Sequence, residues 1–224
     1  MVTLLIIIGF LLILIIGFVF VFKRHSVVIE KYVFTNEYRN KFNEFSVKYF
    51  ENNSGWGFKG NIDNELYVWL TKNVNKVQNY VGVFGLMSFK PALRNFYINN
   101  YQIIINTIPK FRDGKVEPFD VNAVDDCLLR YIGFLEEQKN EIRKQVKNPI
   151  IWFRDGCREI ISIPFSILFW FGIISNKSVL YIKESWFYKV ISGIFALLTL
   201  VSGLVTIIIG YDQTVEFVNR LLGK

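Results

Sequence analysis

The stretch that decides the fold is SGIFALLTLVSGLVTIIIG, residues 192–210, in which Ser192, Ala196, Thr199, Gly203, Thr206 and Gly210 recur at alternating spacings of four and three. Every residue in that series is small, and such spacing keeps a seam along one face of an α-helix. In lipid, apolar bulk gives helices no reason to associate, whereas small residues let two backbones approach closely. The seam is therefore expected to be a helix-packing surface, and residues 190–210 a transmembrane helix.

The opposite end of the chain carries a second apolar run, residues 3–22, about the 20 residues needed to cross ~30 Å of hydrocarbon. A cleaved signal peptide would bring a basic start, a shorter apolar core and a small-residue cleavage site; without these the run reads as a membrane anchor over residues 1–25. Lys23, Arg24 and His25 follow the run, and no Lys or Arg precedes it. The positive-inside bias then places the start outside and the following region in the cytoplasm of a bacterial-type cell, with the protein multi-pass in its inner (plasma) membrane.

The charged residues lie between the two runs. Residues 23–147 hold 19 of the 26 Lys and Arg and 14 of the 19 Asp and Glu. Bases are interspersed with acids, as on a solvated surface beside anionic lipid; a nucleic-acid partner would call for a denser basic stripe and is not expected. Two cysteines, Cys127 and Cys157, form neither a disulfide framework nor a zinc spacing. A single histidine, His25, leaves metal chemistry without its commonest ligand and acid–base catalysis without its commonest agent. No catalytic residue, metal or cofactor is expected, and the chain reads as non-enzymatic.

Within residues 26–148 the periodicity predicts a cytoplasmic four-helix bundle. The first helix, about 29–51, carries the aromatic stripe Phe34, Tyr38, Phe42, Phe45 and Tyr49. Residues 54–60, with three glycines around Trp56 and Phe58, break it; they lack the Gly-Lys-Ser/Thr ending of a phosphate-binding loop and read as a connection. Asp63 is placed to cap a second helix bearing Leu66, Trp69, Leu70, Val74 and Val77. A third is expected from Pro91 through Leu93, Phe96, Tyr97, Tyr101, Ile104, Ile105 and Ile108, ended by Pro109. The fourth starts near Asp120 or Asn122, with Asp125 and Asp126 complementing its dipole and Val124, Leu128, Tyr131, Ile132, Leu135, Ile142 and Val146 on one side. Residues 80–90 read as a buried loop or as an apolar surface. In the second case Phe84 and Phe89, with Trp56 and Phe58, form a tip that contacts lipid or a partner.

Asn148-Pro149 changes the character of the chain. Residues 149–189 are an amphipathic or kinked membrane segment and a linker, carrying the charged cluster Arg154, Asp155, Arg158 and Glu159 before an apolar stretch that contains Pro164. On a helical wheel the cluster shares one arc with Ser162 and Ser166. Either the segment lies in the interface with that arc toward water, or it crosses with a kink and turns the arc toward other helices. With the helix at 190–210 it is expected to form a membrane hairpin, followed by a short tail, 211–224. The cluster reads as an interfacial ion-pair patch, with a phosphate-binding or gating role as its functional alternative.

The fold class expected is thus an all-α membrane protein: an amino-terminal transmembrane helix, a cytoplasmic four-helix bundle and a carboxy-terminal membrane hairpin. Its partners are the lipid bilayer and either further copies of itself or another membrane protein. The function expected is that of an oligomeric membrane-perturbing or channel-like effector controlled through its helical domain; the alternative is a structural or accessory subunit docking a membrane complex.

Overall fold

The computed structural model describes residues 2–51, 62–89 and 98–209; about 87% of them are helical, which establishes a helical class with almost no sheet. Among these residues seven helices, α1 (Val2–Glu51), α2 (Asn64–Val81), α3 (Ile103–Arg112), α4 (Pro118–Val146), α5 (Pro149–Trp170), α6 (Asn176–Glu184) and α7 (Trp186–Ile209), accompany two short strands, β1 (Leu86–Phe89) and β2 (Ile98–Gln102). The chain divides into two compact units: Ser26–Asn140, and the chain on either side of it.

The expected first helix of the body does not start near Ile29: α1 carries on from the apolar run, while the boundary between the two units falls between His25 and Ser26. Helix α1 is one element of 50 residues. From Phe18 to Glu51 the sequence contains neither Gly nor Pro, so nothing interrupts the backbone ladder where the apolar run meets Lys23, Arg24 and His25.

In the unit Ser26–Asn140, the aromatic stripe of α1 forms the core. Tyr38, Phe42 and Phe45 are fully buried with Leu70 of α2, Ile104, Ile108 and Phe111 of α3, and Leu128 of α4. The ring of Phe111 stands 4.9 Å from that of Phe45 and 5.0 Å from that of Tyr49, both edge-on, the arrangement the ring quadrupole favours. Asp63 caps α2 as expected, its carboxylate accepting from the Leu66 amide at 3.1 Å, and Gly82, at φ 53°, ends the helix in a conformation other residues avoid. Asp125 makes a two-pronged ion pair with Arg39 at 2.7 and 3.0 Å and accepts from Asn43 at 2.9 Å, so it ties α4 to α1 rather than serving the helix dipole alone.

The third helix is shorter than expected. Residues 98–102 form β2, antiparallel to β1 with Leu86 opposite Gln102 and Met87 opposite Tyr101; the register shifts between Met87 and Phe89. Asn100 sits at φ 56°, a left-handed conformation that a helix cannot contain and that Asn tolerates better than most residues. Helix α3 starts at Ile103, and Pro109 lies inside it instead of ending it. Residues 90–97, including the expected start at Pro91, lie outside the described residues. Helix α4 begins at Pro118, earlier than expected, because Asp120 folds back to accept from the Glu117 amide at 3.1 Å and from Lys110 at 2.6 Å.

The second unit holds the apolar elements. Two helices, α1 and α7, are long and apolar enough to cross a membrane, and both leave most of that surface uncovered: Leu12 and Ile15 of α1 and Leu197 and Leu198 of α7 are exposed. A core helix of a water-soluble protein would bury such residues. Helix α5 starts with Asn148 as its cap, accepting from the Ile150 amide at 3.0 Å, and Pro149 in its first turn. It continues through Pro164 to Trp170. The expected linker between α5 and α7 contains a separate short helix, α6, capped by Ser175.

Candidate functional site

Helix α7 presents its small seam inward. Ser192, Ala196 and Gly203 are buried and Thr199 and Thr206 half-buried. Ala196 packs with Phe153 and Cys157 of α5 in a cluster that also takes in Phe10, Ile13, Leu14 and Leu200. Opposite Gly203 lies Phe10 of α1; a methyl group added at this glycine would stand 3.6 Å from the ring, an ordinary contact. The Thr199 and Thr206 hydroxyls donate one turn back, to the carbonyls of Phe195 at 2.7 Å and Ser202 at 2.8 Å, which removes their polar cost in an apolar setting. The seam is thus a packing face whose neighbours belong to the same chain. Gly210 lies outside the described residues.

Among the described glycines the closest backbone approach falls on two that the seam did not include. A Cβ at Gly17 of α1 would lie 2.8 Å from the amide nitrogen of Gly156 and nearer still to the Trp152 carbonyl. One at Gly156 would lie 3.0 Å from the carbonyl carbon of Ile13 and nearer to its oxygen. Helices α1 and α5 therefore cross main chain to main chain, flanked by Phe10 stacked on Phe153 at 5.0 Å and Phe18 edge-on to Trp152 at 4.9 Å. The available signal was each glycine's isolation within an otherwise bulky helical pattern.

This crossing positions the charged cluster. Asp155, adjacent to Gly156 and buried, receives Arg24 of α1 on one carboxylate oxygen and its neighbour Arg154 at 2.9 Å on the other. Two guanidinium groups supply the compensation a buried carboxylate requires. One turn on, Glu159 accepts from Lys183 of α6 at 2.9 Å and from the Ser162 hydroxyl at 3.3 Å. Arg158 has a different environment: it donates to the Lys183 backbone carbonyl at 2.7 Å and lies over the Tyr188 ring, 5.9 Å from its centroid, and no carboxylate pairs with it among the described residues. The Tyr188 hydroxyl in turn donates to the Arg158 carbonyl.

These side chains line a cleft of about 230 Å³ bounded by Phe20, Arg24, Asp155, Arg158, Glu159, Leu180, Lys183 and Glu184. It lies where Phe20 and Arg24 close the first apolar run, and its α6 residues Lys183 and Glu184 stand just before α7 begins at Trp186. The four residues singled out from the sequence, Arg154, Asp155, Arg158 and Glu159, do come together on α5. Sequence spacing did not reveal Arg24, from α1, or Lys183, from α6.

The aromatic residues expected at an apolar tip fare differently. Phe84 is half-buried, its ring 5.7 Å from Tyr131 and 5.3 Å from Phe134, so it contributes to packing within its own unit. Trp56 and Phe58, and the side chain of Phe89, lie outside the described residues. Among the described residues no three His, Cys, Asp or Glu side chains gather as a metal site.

The class these features define is a predominantly helical protein with two helices able to span a membrane. No family model, no curated protein and no solved structure matches the chain.

Proposed function

We propose that the chain is a non-enzymatic integral membrane protein, multi-pass in the inner (plasma) membrane of a bacterial-type cell, acting as an effector. In this reading the unit Ser26–Asn140, a cytoplasmic helical bundle, receives a signal or partner, and the membrane unit responds by changing permeability or organising a complex. The observation that supports it most is the placement of ionisable groups, Arg24, Asp155, Arg158, Glu159 and Lys183, in a cleft beside two exposed apolar helices. Ionisable groups gathered beside membrane-length apolar helices are candidates for a ligand or gating site. Both cluster carboxylates act as ion-pair acceptors, an arrangement suited to holding helices or a ligand rather than to transferring protons.

The inward-turned seam favours a second reading, an accessory subunit. With Ala196 packed against α1 and α5 and Gly203 against α1, self-assembly through that face loses its motive. The test is the mass of the purified chain in detergent and in nanodiscs, followed by dye release from liposomes containing it. A homo-oligomer that releases dye supports the effector; a monomer that co-purifies with a stoichiometric membrane protein and leaves liposomes sealed replaces it with the accessory subunit.

A further inference from the structure

The charges lining the cleft balance in an informative way. Arg24, Arg158 and Lys183 face Asp155, Glu159 and Glu184. Two internal pairs form among the lining residues, Arg24 with Asp155, whose other oxygen is taken by Arg154 from outside the lining, and Lys183 with Glu159. One cation and one carboxylate remain: Arg158, held only by a backbone carbonyl and the face of Tyr188, and Glu184, exposed and in no ion pair among the described residues. The two residual charges ask for a ligand carrying one negative and one positive group. A guanidinium with free N–H groups suits a phosphate in particular, because its fork matches two phosphate oxygens.

The surroundings indicate where such a ligand comes from. Phe20 and Leu180, both exposed apolar residues, form part of the lining. The cleft sits at the end of one membrane-length apolar run and just before the start of another; with both runs spanning a bilayer, that is the depth of lipid phosphates. Its 230 Å³ falls below the roughly 300–1,000 Å³ of pockets that enclose drug-sized ligands, leaving room for a headgroup and none for acyl chains. We propose that this cleft binds the headgroup of a zwitterionic phospholipid, with the phosphate on Arg158 and the ammonium on Glu184.

The proposal rests on the chain being a membrane protein, and the experiment separates the two. Membranes containing the full-length chain are first washed with alkaline carbonate; release of the chain overturns the membrane reading and the proposal with it. The chain purified in mild detergent is then titrated with short-chain phosphatidylethanolamine, short-chain phosphatidylglycerol and inorganic phosphate, and bound molecules are counted by native mass spectrometry. The expected result is one phosphatidylethanolamine per chain, bound about tenfold or more weakly by Arg158→Gln, the scale of losing a charged hydrogen-bond partner. Glu184→Gln is expected to erase the preference over phosphatidylglycerol while leaving phosphate-dependent binding. Arg158→Lys, which keeps the charge but loses the fork, should fall between wild type and Arg158→Gln and stands in if the latter fails to fold. Tighter binding of phosphatidylglycerol, equal binding of free phosphate, or binding unchanged in Arg158→Gln and Arg158→Lys would each overturn the assignment, even with the chain retained in carbonate-washed membranes.

Discussion

Replacing Gly156 by Ala tests the α1–α5 crossing directly. The added methyl carbon would lie 3.0 Å from the carbonyl carbon of Ile13, and the matching carbon at Gly17 would lie 2.8 Å from the Gly156 nitrogen, against the 3.4 Å at which such contacts become ordinary. These obstacles, and the still nearer carbonyl oxygens of Ile13 and Trp152, are backbone, which cannot swing away as a side chain can, so the helices must part by about an ångström or more. A gap of ~0.5–1 Å forfeits a quarter to a half of each dispersion contact along the crossing, and an overpacked site typically loses about 1–3 kcal/mol. Gly193 is the internal control: it lies in α7 with nothing within 4 Å of its added carbon, so Gly193→Ala should be neutral or gain up to about 1 kcal/mol from helix propensity. The measurement is unfolding of the full-length protein in mild detergent by titration with a denaturing detergent, followed through the fluorescence of Trp152, which lies at the crossing. Gly17→Ala should lose a similar amount, and the double variant less than the sum, because one separation relieves both clashes. Equal stability of Gly156→Ala and Gly193→Ala would refute the close crossing.

Three further outcomes follow from the unit Ser26–Asn140. Phe111→Ala removes a fully buried ring packed on Phe45 and Tyr49 and should cost about 3–5 kcal/mol, read as a loss of urea resistance by circular dichroism. The amide of Leu66, and then Lys48, hold the Asp63 carboxyl below its usual 3.8; the stability this adds is fully present above that value and fades as pH falls through the lower folded one. An acid titration of α2 helicity should therefore show a limb below about pH 4 that Asp63→Asn abolishes. Burial pushes the Cys127 thiol up to about 11, so iodoacetamide at pH 8 should leave it unmodified until the chain is unfolded; fast labelling of the native protein would contradict its burial.

The parts of the fold that local chemistry controls were legible in the sequence. Helix α2 starts from the cap at Asp63, and the burial of Leu70, Val74 and Val77 follows from their spacing alone. The segment around Ile98 and Tyr101 was not, because its apolar residues fit a helical period while the left-handed backbone at Asn100, which excludes a helix, depends on pairing with β1. The seam on α7 was legible as a face and illegible as a contact: its neighbours are side chains of α1 and α5, and the close backbone approach falls instead at Gly17 and Gly156. For the cleft, the α5 contributors stand one turn apart and could be read together. Arg24 lies 131 residues from Asp155 and Lys183 24 from Glu159, distances over which only the folded chain sets the pairing.

The position of Asp155 next to Gly156 gives α5 little freedom. One residue holds two arginines at the cleft, and the next rests on the main chain of α1 without a side chain to cushion it. Packed surfaces of this kind shift between discrete arrangements rather than deform gradually. The ion pair at the cleft and the crossing with Gly17 therefore share a single turn of α5, so Asp155→Asn is expected to loosen both ends of it at once.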